Sequence, residues 1–295
     1  MKFSFLIVFI SFVFQLTAQD INNSYLINKN DSLTKKRKQI LLITEASLYT
    51  LSLVSLNQLW YADYPRSNFH FINDNQEWLQ MDKFGHMMSS YYTGISGIKA
   101  YEWAGFSRKN AIWYGGMTGS IFLTIIEILD GTSKEWGASS GDLLANTTGS
   151  LLAIGQAIYW KEQKIQLKYS YSPTNWALEN PEQLGSNHLE RALKDYNGQT
   201  YWLTCNLKSI FNIENTNFPN WLSIALGYSG SAMLNPYPNE TSYRQYLFSL
   251  DVDLNKIKTK SAVLNSILHT FGFLKFPFPA FEISNKKLHF HSIYY

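Results

Sequence analysis

The sequence predicts an α+β protein, with a bundle of four mostly apolar helices followed by a smaller antiparallel β-rich C-terminal region. Residues 40–163 contain four apolar stretches of helical length, separated by polar or Gly-rich breaks. From Lys164 the texture changes: Ile165, Leu167, Tyr169 and Tyr171 alternate with Gln166, Lys168 and Ser170, the period of a half-buried strand. Aromatic residues make up 16% of the chain, a composition suited to exposed sheets and membrane interfaces. With 295 residues a large core is available, and a net charge of +3 without a basic stripe argues against nucleic acid as a partner.

In chain order, Met1-Lys2 precedes an apolar run over residues 3–14, and a small, polar exit reaches Ala18-Gln19. The run is shorter than the ~20 residues that span a bilayer, so residues 1–19 read as a cleaved signal peptide and the protein as exported. No Cys follows the run to accept a lipid, and Cys205, the one Cys in the chain, has no internal disulfide partner. Residues 20–39 are expected to form a flexible leader ending in the basic run Lys35-Lys36-Arg37-Lys38. Helices are expected over residues 40–60, 81–103, 110–129 and 142–160, joined by an aromatic loop at 63–80 and a Gly- and Ser-rich turn at 132–141. Residues 40–163 then form the helical domain and residues 164–295 the β-rich region.

In that region strands are expected at 165–171, 201–207, 221–228, 243–253 and 287–293, with an amphipathic helix at 261–273. Phe276-Pro277-Phe278-Pro279 reads as an extended link. The alternating aromatic finish from Leu288 to Tyr295 is similar to the last strand of outer-membrane barrels, but five strands cannot close an ordinary barrel of eight. A small sheet is therefore expected, with His289 and His291 on its surface.

The chemistry-bearing residues lie in the helical half. Asp82 and His86 are four residues apart, on one helical face, where a carboxylate can orient an imidazole. Glu127 and Asp130 are three apart, Asp142 and Asn146 four apart, and Lys83 stands beside Asp82. Charged groups on apolar helices are costly unless paired or wet, so Asp82, His86, Glu127 and Asp142 are expected to converge. His86, Asp82, Glu127 and Asp142 are the candidates for catalysis, and Lys83, Asp130 and Asn146 for binding. The competing reading is a buried network that fixes helix register, with Asp82, Asp130 and Asp142 as caps, and it is the preferred one. No His-x-x-x-His or Cys pair marks a metal site, no Gly-x-Ser-x-Gly elbow marks a nucleophile, and phosphate loops are absent. Neither metal nor cofactor is expected.

The run from Trp78 through Asp82-Lys83-Phe84-Gly85-His86, then Glu127-Ile128-Leu129-Asp130-Gly131, then Trp136 through Asp142, Asn146 and Gly149, resembles the YfiM-like family of predicted periplasmic proteins (domain of unknown function 2279) over roughly residues 40–160. The order Asp-Lys-x-x-His, Glu, Asp-x-x-x-Asn-x-x-Gly is also similar, more loosely, to VanZ-like membrane proteins, which are implicated in glycopeptide resistance. These resemblances imply an envelope location and a helical domain with a shared polar centre at Asp82, Lys83, His86, Glu127, Asp142 and Asn146. They imply no settled reaction. Two functional classes follow: a membrane-associated envelope factor binding a lipid, glycan or envelope protein, or a hydrolase or transferase on a lipid-linked or cell-wall substrate with His86 as acid or base.

Overall fold

A computed structural model describes residues 31–62 and 64–295, so the expected signal peptide at residues 1–19 lies outside the described residues. The described residues mix helix and strand, 52% and 22%, and their contacts divide them into two compact units. Among the described residues, 31–74 and 86–159 form a helical unit; residues 75–85 and 160–295 form a sheet unit.

Among the described residues four long helices occur: α1 (Asp31–Leu56), α2 (Met81–Trp103), α3 (Arg108–Gly131) and α4 (Ser140–Tyr159). The first begins nine residues before the expected start at residue 40, which corrects the reading of residues 31–39 as leader. Lys, Arg and Gln are good helix formers, and the basic run is held by aromatic faces: Arg37 lies 5.6 Å over Trp103 and Lys38 4.7 Å over Phe106. Ser107 caps α3, accepting from the Asn110 amide at 3.3 Å. Ser32–Leu56 and Arg108–Gly131 are both long and apolar enough to cross a membrane, but the second is 56% buried within the protein against 17% for the first.

Small residues set the helix contacts. A Cβ on Gly94 of α2 would stand 2.7 Å from the Gly116 carbonyl oxygen of α3, and one on Gly119 would stand 2.5 Å from the Ser90 carbonyl oxygen. Gly149 of α4 lies against the Met87 carbonyl. Tyr49 of α1 donates to the Thr118 carbonyl at 3.0 Å. The loops at 63–80 and 132–141 contain an unexpected two-residue parallel ladder, β1 (Phe71–Ile72) with β2 (Ala138–Ser139).

The sheet unit is a six-stranded antiparallel meander: β3 (Ile165–Tyr171), β4 (Gln199–Asn206), β5 (Leu222–Ser231), β6 (Tyr243–Val252), β7 (Phe278–Ser284) and β8 (Lys287–Tyr294), hydrogen-bonded in that order. β7 was not among the expected strands, and its first two residues, Phe278 and Pro279, fall in the expected extended link. Its Pro279 sits at the irregularity between Phe278 and Ala280, where the ladder does without a proline amide. The expected helix at 261–273 is α5 (Ala262–Thr270) with a following 3-10 turn. The enclosed side of the sheet is mostly polar. Lys168 and Asp251 pair at 2.6 Å with no exposure, and Gln166 donates to Asp253 at 3.0 Å. Trp202, Ala225, Leu247 and Ala280 form the apolar part, with Tyr294 packed on Trp202 at 5.7 Å. His291, expected on the strand surface, instead turns toward Glu282, its Nε2 2.7 Å from the carboxylate.

The segment 75–85 carries three successive left-handed residues, Trp78, Leu79 and Gln80, at φ 47°, 51° and 66°. Such a turn costs about 1–2 kcal/mol per residue. It is held by contacts in the same unit: the Trp78 amide donates to the Pro236 carbonyl at 2.7 Å, and the Tyr228 hydroxyl to the Leu79 carbonyl at 2.5 Å.

Candidate functional site

Within the helical unit, α2 supplies His86, α3 supplies Glu127 and Asp130, and α4 supplies Asp142 and Asn146. His86, Glu127, Asp142 and Asn146 are 7%, 3%, 4% and 0% exposed, so the centre is sealed from bulk water. His86 Nδ1 lies 3.0 Å from Asn146 Oδ1. The Asn146 oxygen accepts, which places the ring proton on Nδ1. Asn146 Nδ2 is buried without a hydrogen-bond partner among the described residues.

Ser139 is the hub. Its amide donates to Glu127 Oε2 at 2.8 Å, its hydroxyl donates to Asp74 Oδ1 at 2.6 Å, and its oxygen accepts from the Asp142 amide at 3.1 Å. The last bond is a helix N-cap, with Ser139 ahead of α4 and Asp142 in its first turn. The β1–β2 ladder holds Ser139 in place beside Asp74. Further along, Ser90 donates to the Asn146 carbonyl at 2.5 Å and lies 2.8 Å from the Ser150 hydroxyl, which accepts from the Ser120 amide at 3.2 Å. Hydroxyls thus continue the polar seam along α2, α3 and α4.

Burial pushes the Glu127 carboxyl up to about 8. The His86 charge and the Ser139 amide oppose the shift, whereas Asp142 and Asp130 add to it. Glu127 therefore holds its proton at neutral pH and can donate as well as accept. Asp130 accepts from the Tyr61 hydroxyl at 2.6 Å and raises that phenol's pKa, second to burial itself. It does not cap α3, because it lies within the helix's last turn.

Asp82 stands one helical turn before His86 on α2 and counts with the sheet unit, where Tyr196 donates to its Oδ1 at 2.7 Å. Lys83 Nζ lies 3.9 Å from Asp82 Oδ2. For a cation, His86 and Asp142 present ligand atoms within 4.8 Å of each other. Both are types that bind divalent ions.

The sequence reading did not single out Asp74, Ser139 as hub, Tyr61 or Tyr196. The Ser139-x-x-Asp142 spacing was the available signal for the first turn of α4. Nothing local marks the other three, whose partners are 65 to 114 residues away.

A groove of about 620 Å³ elsewhere in the helical unit, lined by Leu42, Glu45, Tyr101, Trp113 and Ile121 among others, includes none of these residues. Burial raises the Glu45 carboxyl there, partly offset by the Tyr101 hydroxyl at 3.0 Å.

No curated protein and no solved structure matches the chain. Residues 70–156, the stretch that carries His86, Glu127, Ser139, Asp142 and Asn146, match the model of a family described as predicted periplasmic lipoprotein (DUF2279), which gives this chain an exported, periplasmic or envelope-associated location.

Proposed function

We propose that the protein is a membrane-associated envelope factor in which His86, Glu127, Asp142 and Asn146 lock α2, α3 and α4 into one register. The carrying observation is the sealed centre: each of the four side chains is less than a tenth exposed, and Ser139 ties two of them to the start of α4. A hydrolase or transferase would need its acid or base within reach of a substrate. Buried networks of this kind act as registry devices, since one arrangement satisfies the polar groups and slipped arrangements leave them unpaired. The exposed apolar side chains of α1, such as Leu42, Ile43 and Leu51, support the membrane-associated part of the reading. A lipid, glycan or envelope protein partner would engage surfaces outside the centre. Asp82 and Lys83 belong to this reading as groups at the start of α2, ahead of the seam.

The test is the stability of His86→Ala and Asn146→Leu in the full exported chain. Both are expected to lower the unfolding free energy by about 2–4 kcal/mol, because each leaves a buried partner unsatisfied. Variants as stable as the parent that lose the cellular role would overturn the structural reading in favour of chemistry at His86.

A further inference from the structure

The sheet unit carries its polarity inside out. On the enclosed side stand Gln166, Lys168, Thr204, Ser249, Asp251 and Glu282, each buried. On the opposite side a single cross-strand row runs Leu203, Leu226, Phe248, Phe281, Phe290, each paired in register with the next. These five are 40%, 56%, 46%, 50% and 61% exposed. A second row beside it ends in Tyr246, Ile283 and Leu288, at 54%, 56% and 67%. A sheet that meets water places its apolar residues inside and its polar ones outside. Strands in hydrocarbon do the reverse.

We infer that this outer face of β4–β8 lies against the hydrocarbon of a lipid bilayer. Three observations on the same unit name that occupant. The enclosed side holds a desolvated ion pair, Lys168 with Asp251, as the interior of a membrane barrel holds its polar residues. Two aromatic residues paired across β5 and β6, Tyr228 and Tyr246, border the Leu226–Phe248 row at one end. Leu222 to Tyr228, the outward residues of β5 and those between them, cover about 20 Å of strand, within the ~25 Å apolar band of outer-membrane proteins. The sheet also limits its open edges. Tyr294 of β8 curls onto Trp202 and Thr200 of β4, and the Leu274–Lys275 segment bonds to Tyr169 on the outer side of β3.

This inference rests on the membrane-associated reading and narrows it to one face, so two measurements separate them. Co-flotation of the unaltered full-length protein with phosphatidylcholine/phosphatidylglycerol vesicles tests membrane association alone. For the face, Cys205 is a native probe, since it stands in the outward row Cys205, Ile224, Leu250. A nitroxide attached there is expected to gain oxygen collisions and lose collisions with a water-soluble nickel chelate when vesicles are added. Phe248→Arg and Phe281→Arg are expected to lower vesicle retention at least tenfold with the circular dichroism spectrum unchanged. A protein that floats while its Cys205 label keeps its nickel collisions would overturn the inference and leave membrane association standing. A label shielded from both reagents would overturn it too, in favour of a second copy covering the face.

Discussion

Glu127 gives the polar centre a measurable signature. Its carboxyl titrates near 4.5 when free and at about 8 in the folded protein. Between those values the folded state holds a proton that the unfolded state has released, so stability falls as pH rises from about 4.5 to 8 and levels off above. The slope for one proton is at most about 1.4 kcal/mol per pH unit. Glu127→Gln keeps an acceptor for the Ser139 amide and has no proton to lose, so urea midpoints at pH 5, 6.5 and 8 should show a flatter profile than the parent. An unchanged profile would move the titration elsewhere. Ser139→Ala removes the cap on the Asp142 amide and the donor to Asp74, and is expected to cost about 1–3 kcal/mol by the same assay. Much of this centre was legible in advance, because ionisable residues on apolar helices must find company. The hub was not, because Ser139 and Asp74 are 65 residues apart and meet only through a two-residue ladder that no pattern announces.

Helix positions were read closely from apolar runs, since α2 spans its expected residues and α3 and α4 start two residues early. The start of α1 was missed because charged residues suggested solvated coil, whereas Arg37 and Lys38 lie on aromatic rings supplied by a distant stretch of chain. The glycines separate packing from propensity. Gly119→Ala would force a methyl against the Ser90 backbone, and Gly149→Ala against the Met87 carbonyl, each at about 1–3 kcal/mol. Gly155, on the same helix as Gly149, has open space around it, so Gly155→Ala should be neutral or stabilise by up to about 1 kcal/mol. Thermal midpoints of the three variants check this, and equal effects would sink the close-contact account. β7 was hidden by Pro279, since proline usually forbids a sheet interior but is tolerated at a bulge.

The change at Lys164 from helical to strand texture was visible in the sequence, and the mixed architecture followed from it. Period-two alternation does not reveal which side will be enclosed. In β3 the polar side is enclosed, with Gln166, Lys168 and Ser170 at 7%, 0% and 5% exposure, and Leu167 on the other side is buried as well. Lys168→Ala, which strands Asp251 in the interior, should cost about 3–5 kcal/mol in chemical denaturation, whereas Lys168→Met with Asp251→Leu should recover most of it. The meander has a kinetic corollary. Every strand from β3 to β8 pairs with its neighbour in the chain, so the sheet contains no crossover to be threaded. An exported polypeptide that emerges from a translocation channel end first can pair such a sheet strand by strand in chain order; the longer connections before β7 raise the closure cost only slowly with length, and β7 and β8 close over the tight turn Asn285-Lys286. The hairpin of β7 with β8 then brings Tyr294 onto Trp202, so the pairing of β8 is the event that closes the sheet over its interior.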